Sequence, residues 1–175
     1  MTDRIADFEA NAKASAATIE RVANAPAAVR AAAEKAVGTA AKIILGPDEF
    51  LPVAIVKTLR ELPGVIARPS DEQLSTADAG ISGAFAGVAS SGSVCVAMGP
   101  PLAAAASLLM PLHLVLVTPE RIVGRPRDLF DPACLDGEGL RRDLVFITGP
   151  SATADMGPLV RGVHGPHRLH ILLLG

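Results

Sequence analysis

Hydrophobic positions near the start of the chain recur at helical spacing. Ile5, Phe8 and Ala12, then Ile19 and Val22, follow three- and four-residue steps, with Asp3, Asp7, Glu9, Lys13, Glu20 and Arg21 between them. Asn24 and Pro26 interrupt the pattern, and Pro26 suits the first turn of a second short helix reaching Lys35. Both apolar stripes are thin, because alanine buries little area. Residues 1–40 are therefore read as an N-terminal helical arm. It could dock on a neighbouring molecule or lie as a weak surface layer on its own domain.

After Gly38 the texture changes. Short apolar runs at 42–45, 65–67, 84–89, 93–98, 112–117, 144–147 and 169–174 are bounded by Gly, Pro or Ser and read as strands. Between them 49–62 and 102–110 read as helices, 70–74 as a capped helical turn, and 126–142 as a loop rich in Asp, Gly and Pro. Strands alternating with helices predict an α/β fold of three layers, α/β/α, with a mainly parallel sheet covered on both faces. No internal repeat or long linker divides residues 41–175, which are read as one α/β domain.

The run from Ala79 to Pro119 holds no Asp, Glu, Lys or Arg, long enough to imitate a membrane span. Pro100, Pro101 and Pro111 cut it, and five glycines punctuate the rest. A spanning helix so broken would leave backbone groups unpaired in lipid, so buried strands are the better reading. Half of the chain is hydrophobic and mean hydropathy is +0.39, which excludes disorder. A net charge of −2 and the lack of Trp and Tyr remove both the basic field and the stacking platforms of a nucleic-acid binder.

Two cysteines, Cys95 and Cys134, cannot build a disulfide framework, and an iron–sulfur cluster takes about four thiolates. No Walker loop or dinucleotide glycine fingerprint is present. The expectation is a chain without cluster, flavin or other cofactor. Early acids and no apolar segment at the N-terminus argue against a signal peptide, leaving the cytoplasm as the expected location.

Polar residues gather at two turns. One is Ser90-Ser91-Gly92-Ser93; the other is Gly149-Pro-Ser151-Ala-Thr153-Ala-Asp155, followed by His164 in Gly162-Val-His-Gly165-Pro166. Ser151, Asp155 and His164 supply a hydroxyl, a carboxylate and an imidazole, the groups that acyl transfer uses as nucleophile, orienter and base. The bland alternative is that Ser and Asp cap turns while His164 satisfies a carbonyl. Open α/β sheets bind ligands beyond the carboxyl ends of their strands, and residues 148–155 leave such an end. These motifs are therefore expected to line one crevice, with a small anion among the ligands it could hold. His164, His167 and His170 are spaced by three, which suits neither a strand nor a helix face, so no metal site is expected. Two arginine groups, Arg121, Arg125 and Arg127, then Arg141 and Arg142, suit an anion, a protein surface or merely a GC-rich genome.

The segments 147–156 (Ile-Thr-Gly-Pro-Ser-Ala-Thr-Ala-Asp-Met) and 159–170 (Leu-Val-Arg-Gly-Val-His-Gly-Pro-His-Arg-Leu-His) resemble the C-terminal signature of the LUD domain. That domain is found in the lactate-utilisation protein C family. Residues 86–94 and 110–117 also fit the family's middle, so the resemblance covers roughly 41–175. It implies the fold shared by ribose-5-phosphate isomerases, glucosamine-6-phosphate deaminases and CoA transferases. It also implies a place in a system, with two iron–sulfur partner proteins, that oxidises L-lactate to pyruvate. Ser91, Gly92, Gly149, Ser151, Thr153, Asp155, His164 and Gly165 match the family motifs and, with Ser93 of the same turn, are the candidate ligand-binding residues. The family's acidic residue is replaced here by Ser90, and its basic residue after Gly-Pro-Ser by Ala152. Loss of an acid and a base together fits loss of a charge pair or of a substrate contact.

The leading expectation is the cluster-free component of an iron–sulfur lactate-oxidising system. The rivals are a stand-alone enzyme or binding protein for a small phosphorylated or acyl metabolite, and a scaffold subunit with a degenerate site. Association with a second copy is left open.

Overall fold

The computed structural model describes residues 2–38, 41–131, 143–155 and 157–175. The chain begins with α1 (Thr2–Ala14), β1 (Thr18–Val22), α2 (Pro26–Val37), β2 (Ile43–Leu45), α3 (Val53–Arg60) and β3 (Val65–Ile66). It continues through α4 (Asp71–Ser75), β4 (Ala79–Gly83), β5 (Ala86–Val88), β6 (Ser93–Ala97), a π-helical turn (Ala105–Leu109) and β7 (Leu112–Val117). Then come β8 (Ile122–Val123), β9 (Leu144–Ile147), the paired β10 (Ala152–Thr153) and β11 (Val160–Arg161), and β12 (Arg168–Leu174).

Six strands form one sheet in the order β1-β12-β7-β4-β2-β3, and every pair in it is parallel. Every residue of β4 and β7 is buried. A parallel sheet covered on both faces has no use for charge, which accounts for the charge-free run from 79 to 119. Among the described residues no helix is long and apolar enough to cross a membrane.

On one face α2 and α3 lay Val29, Ala33, Ile55 and Leu59 against Ile43, Ile81, Leu114, Leu116 and Leu172. On the other, Phe8 and Ala12 of α1 fill the space against Val115, Val117, Leu169, Ile171 and Leu173. The π-helical turn covers the rest of that face, with Ala106 and nearby Met110 on Ile44. The three layers expected from the alternation are therefore present.

Two expectations need correction. The 84–89 and 93–98 runs do not join the parallel sheet. They form a hairpin in a separate mixed sheet of order β8-β5-β6-β9, antiparallel at β5–β6 and β6–β9. This small sheet sits across α1, contributing Val94 and Ile122 to the same cluster as Phe8.

The second correction concerns residues 1–40. They are not a separable arm. Residues 18–22 form a strand, not a helix, and pair with β12 from Thr18↔His170 to Val22↔Leu174. The left-handed Ala16 (φ 64°) ends the helical path, and β-branched Thr18, Ile19 and Val22 favour a pleated edge. The alanine stripe of α1 is thin because the helix is wedged closely between two sheets; Phe8 and Ala12 are fully buried.

The capped turn at 70–74 is present as expected. Ser70 Oγ accepts from the Gln73 amide at 3.2 Å, while the Ser70 amide donates to Gln73 Oε1 at 2.9 Å. The expected helix at 102–110 is largely the π-helical turn, entered through Leu102 at φ 63°. The 126–142 loop begins with a 3-10 turn at Pro126–Phe130. Residues 132–142, including Cys134, Arg141 and Arg142, lie outside the described residues.

Truncating Phe8 leaves a cavity between two sheets that cannot both close on it. Phe8→Ala should lower the unfolding free energy by about 3–5 kcal/mol in chemical denaturation. Removing residues 1–38 should leave a chain without cooperative unfolding. Native-like stability in that truncated chain would restore the detachable arm.

Candidate functional site

The two polar turns lie at the amino edge of the parallel sheet, not at its carboxyl edge. Residues 162–167 precede β12, and the Arg168 amide donates to the carbonyl of Pro111, just before β7. Gly149 packs on Ser15, just before β1. The expectation went astray because β9, which residues 148–155 leave, runs antiparallel to β6 in the small sheet. Its carboxyl end is therefore not one of the carboxyl ends of the parallel sheet.

Main-chain bonds bring part of the predicted set together. The Ser151 amide donates to Pro166 O, and the Gly162 amide to Ser151 O, both at 2.9 Å. A Cβ on Gly165 would stand 3.1 Å from that of Ser151. Thr153 Oγ1 donates to Asp155 Oδ2 at 3.0 Å on the exposed side of the β10–β11 pair. His164 is exposed, and among the described residues no hydrogen bond joins it to Ser151 or Asp155. A hydroxyl–imidazole–carboxylate relay is not assembled in this conformation.

The serine turn is joined to the other motif through hydroxyls. Ser91 Oγ lies 2.6 Å from Ser93 Oγ, which lies 2.7 Å from Thr148 Oγ1. Gly92 (φ 67°) and Gly149 (φ 69°) both take left-handed backbone. A Cβ on Gly92 would fall on the Ala12 nitrogen, and one on Gly149 on the Ser15 carbonyl oxygen. Asn11 Nδ2 adds a 2.8 Å bond to Ala89 O. The close approach that glycine allows is thus to α1 at Gly92 and to the turn just after α1 at Gly149.

The carboxyl edge carries a cleft of about 400 Å³ at the ends of β2 and β3, between Gly46–Glu49, residues 65–67 and Pro100-Pro101. Arg60 forks onto Asp48 Oδ2 at its mouth, Nη2 at 2.7 Å and Nε at 3.2 Å. Beside β4 and β7, Arg121 Nη1 donates to Phe85 O at 3.1 Å, and its guanidinium lies 4.9 Å from the Phe50 ring centroid. Phe50 and Phe85 meet edge-to-face at 5.2 Å. No sequence motif announces this cleft, because its charged pair is twelve positions apart in a surface pattern like any other.

One further group was not singled out by motif. His113 in β7 is fully buried, with Nε2 2.8 Å from Ser82 Oγ. Burial without a counter-charge pushes its pKa down to about 3. The available signal was a lone imidazole inside an otherwise apolar six-residue strand. Its Nδ1, like Ser107 Oγ, has no partner among the described residues. An orphaned buried polar atom costs about 1–3 kcal/mol, so each demands an explanation.

Residues 5–174 match the LUD domain. The chain belongs to the LUD domain family. The match starts within α1, in keeping with the integration of that helix into the core. Lactate utilization protein C of Deinococcus radiodurans is 30% identical over 179 residues, spanning 99% of this chain and 77% of that protein. An uncharacterized protein of Neisseria meningitidis serogroup B is 32% identical over 104 residues. That match covers 59% of this chain and 45% of the meningococcal protein, a little under half of its length. A crystal structure of a DUF162 family protein from Deinococcus radiodurans superposes with a TM-score of 0.71 at 22% identity. It covers 99% of this chain and 98% of that one, and shows the shared fold.

In this LUD domain the buried imidazole has a measurable consequence. Its folded pKa lies below the ordinary 6.5, so the unfolded chain takes up the proton first as pH falls. Stability contributed by neutral His113 is whole above pH 6.5 and is lost progressively towards pH 3. The limiting slope is about 1.4 kcal/mol per pH unit. Half-buried His170 is shifted down, chiefly by burial, and acts in the same sense. Glu9, held below its ordinary 4.5 mainly by its hydrogen bond from Arg21, adds a further loss at more acid pH. His113→Leu should flatten the stability profile between about pH 6 and 4 relative to the parent, by denaturation at each pH. An unchanged slope would mean that the ring already ionises in the folded chain.

The two left-handed turns supply a second test. Gly92→Ala and Gly149→Ala should each destabilise the fold, since a methyl meets backbone of α1 at Ala12 or of the turn after it at Ser15. A fall in melting temperature without loss of α1 contacts elsewhere is the expected signature. Unchanged melting in both variants would show that the turns stand free of the helix.

Proposed function

We propose that this LUD domain is the cluster-free component of an L-lactate utilisation system, working beside iron–sulfur proteins that carry the electrons to be removed. The reading rests chiefly on its relative: the match to Lactate utilization protein C runs over 99% of the chain. Cys95 is consistent with it. The thiol is enclosed by Phe50, Phe85 and Leu129, and burial pushes its pKa up to about 12, so it packs rather than ligates. Kinship with the ribose-5-phosphate isomerase, glucosamine-6-phosphate deaminase and CoA transferase fold belongs to the same proposal, as does a cytoplasmic setting. Open α/β sheets hold small molecules beyond the carboxyl ends of their strands, and the cleft at the ends of β2 and β3 lies on that edge, which supports it as the binding place.

Deletion of the gene should abolish growth on L-lactate while leaving growth on pyruvate intact, and the wild-type chain supplied in trans should restore it. The purified chain should carry no stoichiometric iron and no visible chromophore. Undiminished lactate growth in the deletion strain would overturn the reading, and so would a native iron-loaded chromophore.

A further inference from the structure

Ser107 and His113 are both fully inaccessible, and each carries a polar atom that no described protein group satisfies. They lie in one layer of the fold. His113 is registered opposite Gly80 in β4. A Cβ on Gly80 would fall on the Ala106 carbonyl, so the π-helical turn crosses the sheet at that register. Ser107 is the next residue along the turn. Ser82 lies two residues beyond Gly80, on the same face, and holds the other ring nitrogen.

A neutral imidazole has one nitrogen that donates and one that accepts, and Ser82 serves only one of them. The apolar neighbours offer nothing to the second: Leu169 is registered beside His113 on β12, and Ala106 and Met110 pack nearby. Ser107 Oγ, which can donate or accept, is left over in the same layer. The fully or nearly buried polar residues are Ser82, Ser93, Ser107 and His113, so an ion here would meet no described buried counter-charge. Water fits that demand, being small, uncharged and able to give or take either bond. A π-helical turn in place of a regular α-helix also sets its carbonyls out of α-helical register, where a guest can reach them.

We propose that β4, β7 and the π-helical turn enclose a structural water site in which one water molecule bridges His113 Nδ1 and Ser107 Oγ. The site backs the carboxyl-edge cleft. Gly46, in the cleft wall, stands so close to this layer that a Cβ there would come within 3.3 Å of Ser82 Cβ. The chain of water, His113 and Ser82 therefore fixes the ring orientation and seats the π-helical turn against the strands behind that wall.

A high-resolution crystal structure of the full chain should show a solvent peak at about 2.7–3.2 Å from both atoms. In solution, ¹⁵N shifts of the His113 ring should report two hydrogen-bonded nitrogens. A long-lived water should give a cross-peak to the ring. Ser107→Val, which fills the space with a methyl, should remove the cross-peak and move Nδ1 to the shift of an unbonded nitrogen. The wild-type measurement stands by itself if that variant fails to fold. The proposal is overturned by an unbonded Nδ1 in the wild type, or by Nδ1 bonded directly to Ser107 or a main-chain carbonyl. Loss of lactate growth or its retention would leave this result unaffected, so the two readings fail separately.

Discussion

The fold depends on how one thin helix is held between two sheets. The six-stranded parallel sheet cannot leave its second face in water, because Val115, Val117, Ile171 and Leu173 project there. The small mixed sheet has the same need on its own inner face, at Val94 and Ile122. α1 meets both with one fully buried large side chain, Phe8, beside the small Ala12 and the partly buried Ile5, so the sheets can approach it closely. A bulkier helix would force them apart. Burying a phenylalanine contributes about 1.5–3 kcal/mol by area alone. The Arg21 fork on Glu9, at 2.6 and 2.9 Å, ties α1 to β1 at the surface but contributes much less, since Arg21 stays largely exposed.

Part of the parallel sheet was legible in the sequence: β2, β3, β7 and β12 fall on apolar runs bounded by turn residues, whereas β1 and the glycine-rich β4 (Ala79–Gly83) were not read as strands. Residues 112–117 and 144–147 form strands with the expected ends. The N-terminal segment was misread for a physical reason. Ile19 and Val22 keep helical step to one another, yet Thr18-Ile-Glu-Arg-Val is also a β-branched edge strand, and pairing with β12 decides between them. Local pattern cannot supply that partner, which lies about 150 positions away. Topology was similarly hidden. Residues 144–147 read as one more strand of an α/β alternation, and only their antiparallel pairing with β6 removes them from the parallel sheet.

The same topological fact changed the meaning of the signature motifs. Seen as sequence, Gly92 and Gly149 sit beside hydroxyls, a carboxylate and a histidine, which suggests a cradle for a ligand. In the fold their missing side chains make room for Ala12 of α1 and for Ser15 in the turn that follows it. Ser151 is engaged through its main chain with Gly162 and Pro166. The two glycines thus have a packing reason that holds whether or not a ligand ever binds.

That distinction separates positions that inform about function from those that do not. Where packing already requires a glycine, its presence says nothing about a ligand. The polar side chains without such a requirement are Thr153, Asp155 and His164, on the outward side of the amino edge, and Asp48 and Arg60, at the mouth of the carboxyl-edge cleft. The first group stands in open solvent, where a hydrogen bond or charge pair gains little over water. The second borders a concavity walled by Gly46, Pro47, Pro100 and Pro101, whose rigid backbone loses little freedom when a guest is held. A small molecule gains more there because the walls are already in place, although the Asp48–Arg60 pair, with Arg60 largely exposed, itself adds little. On physical grounds the carboxyl-edge cleft is the stronger place for recognition, while the signature turns hold the helix that keeps both sheets together.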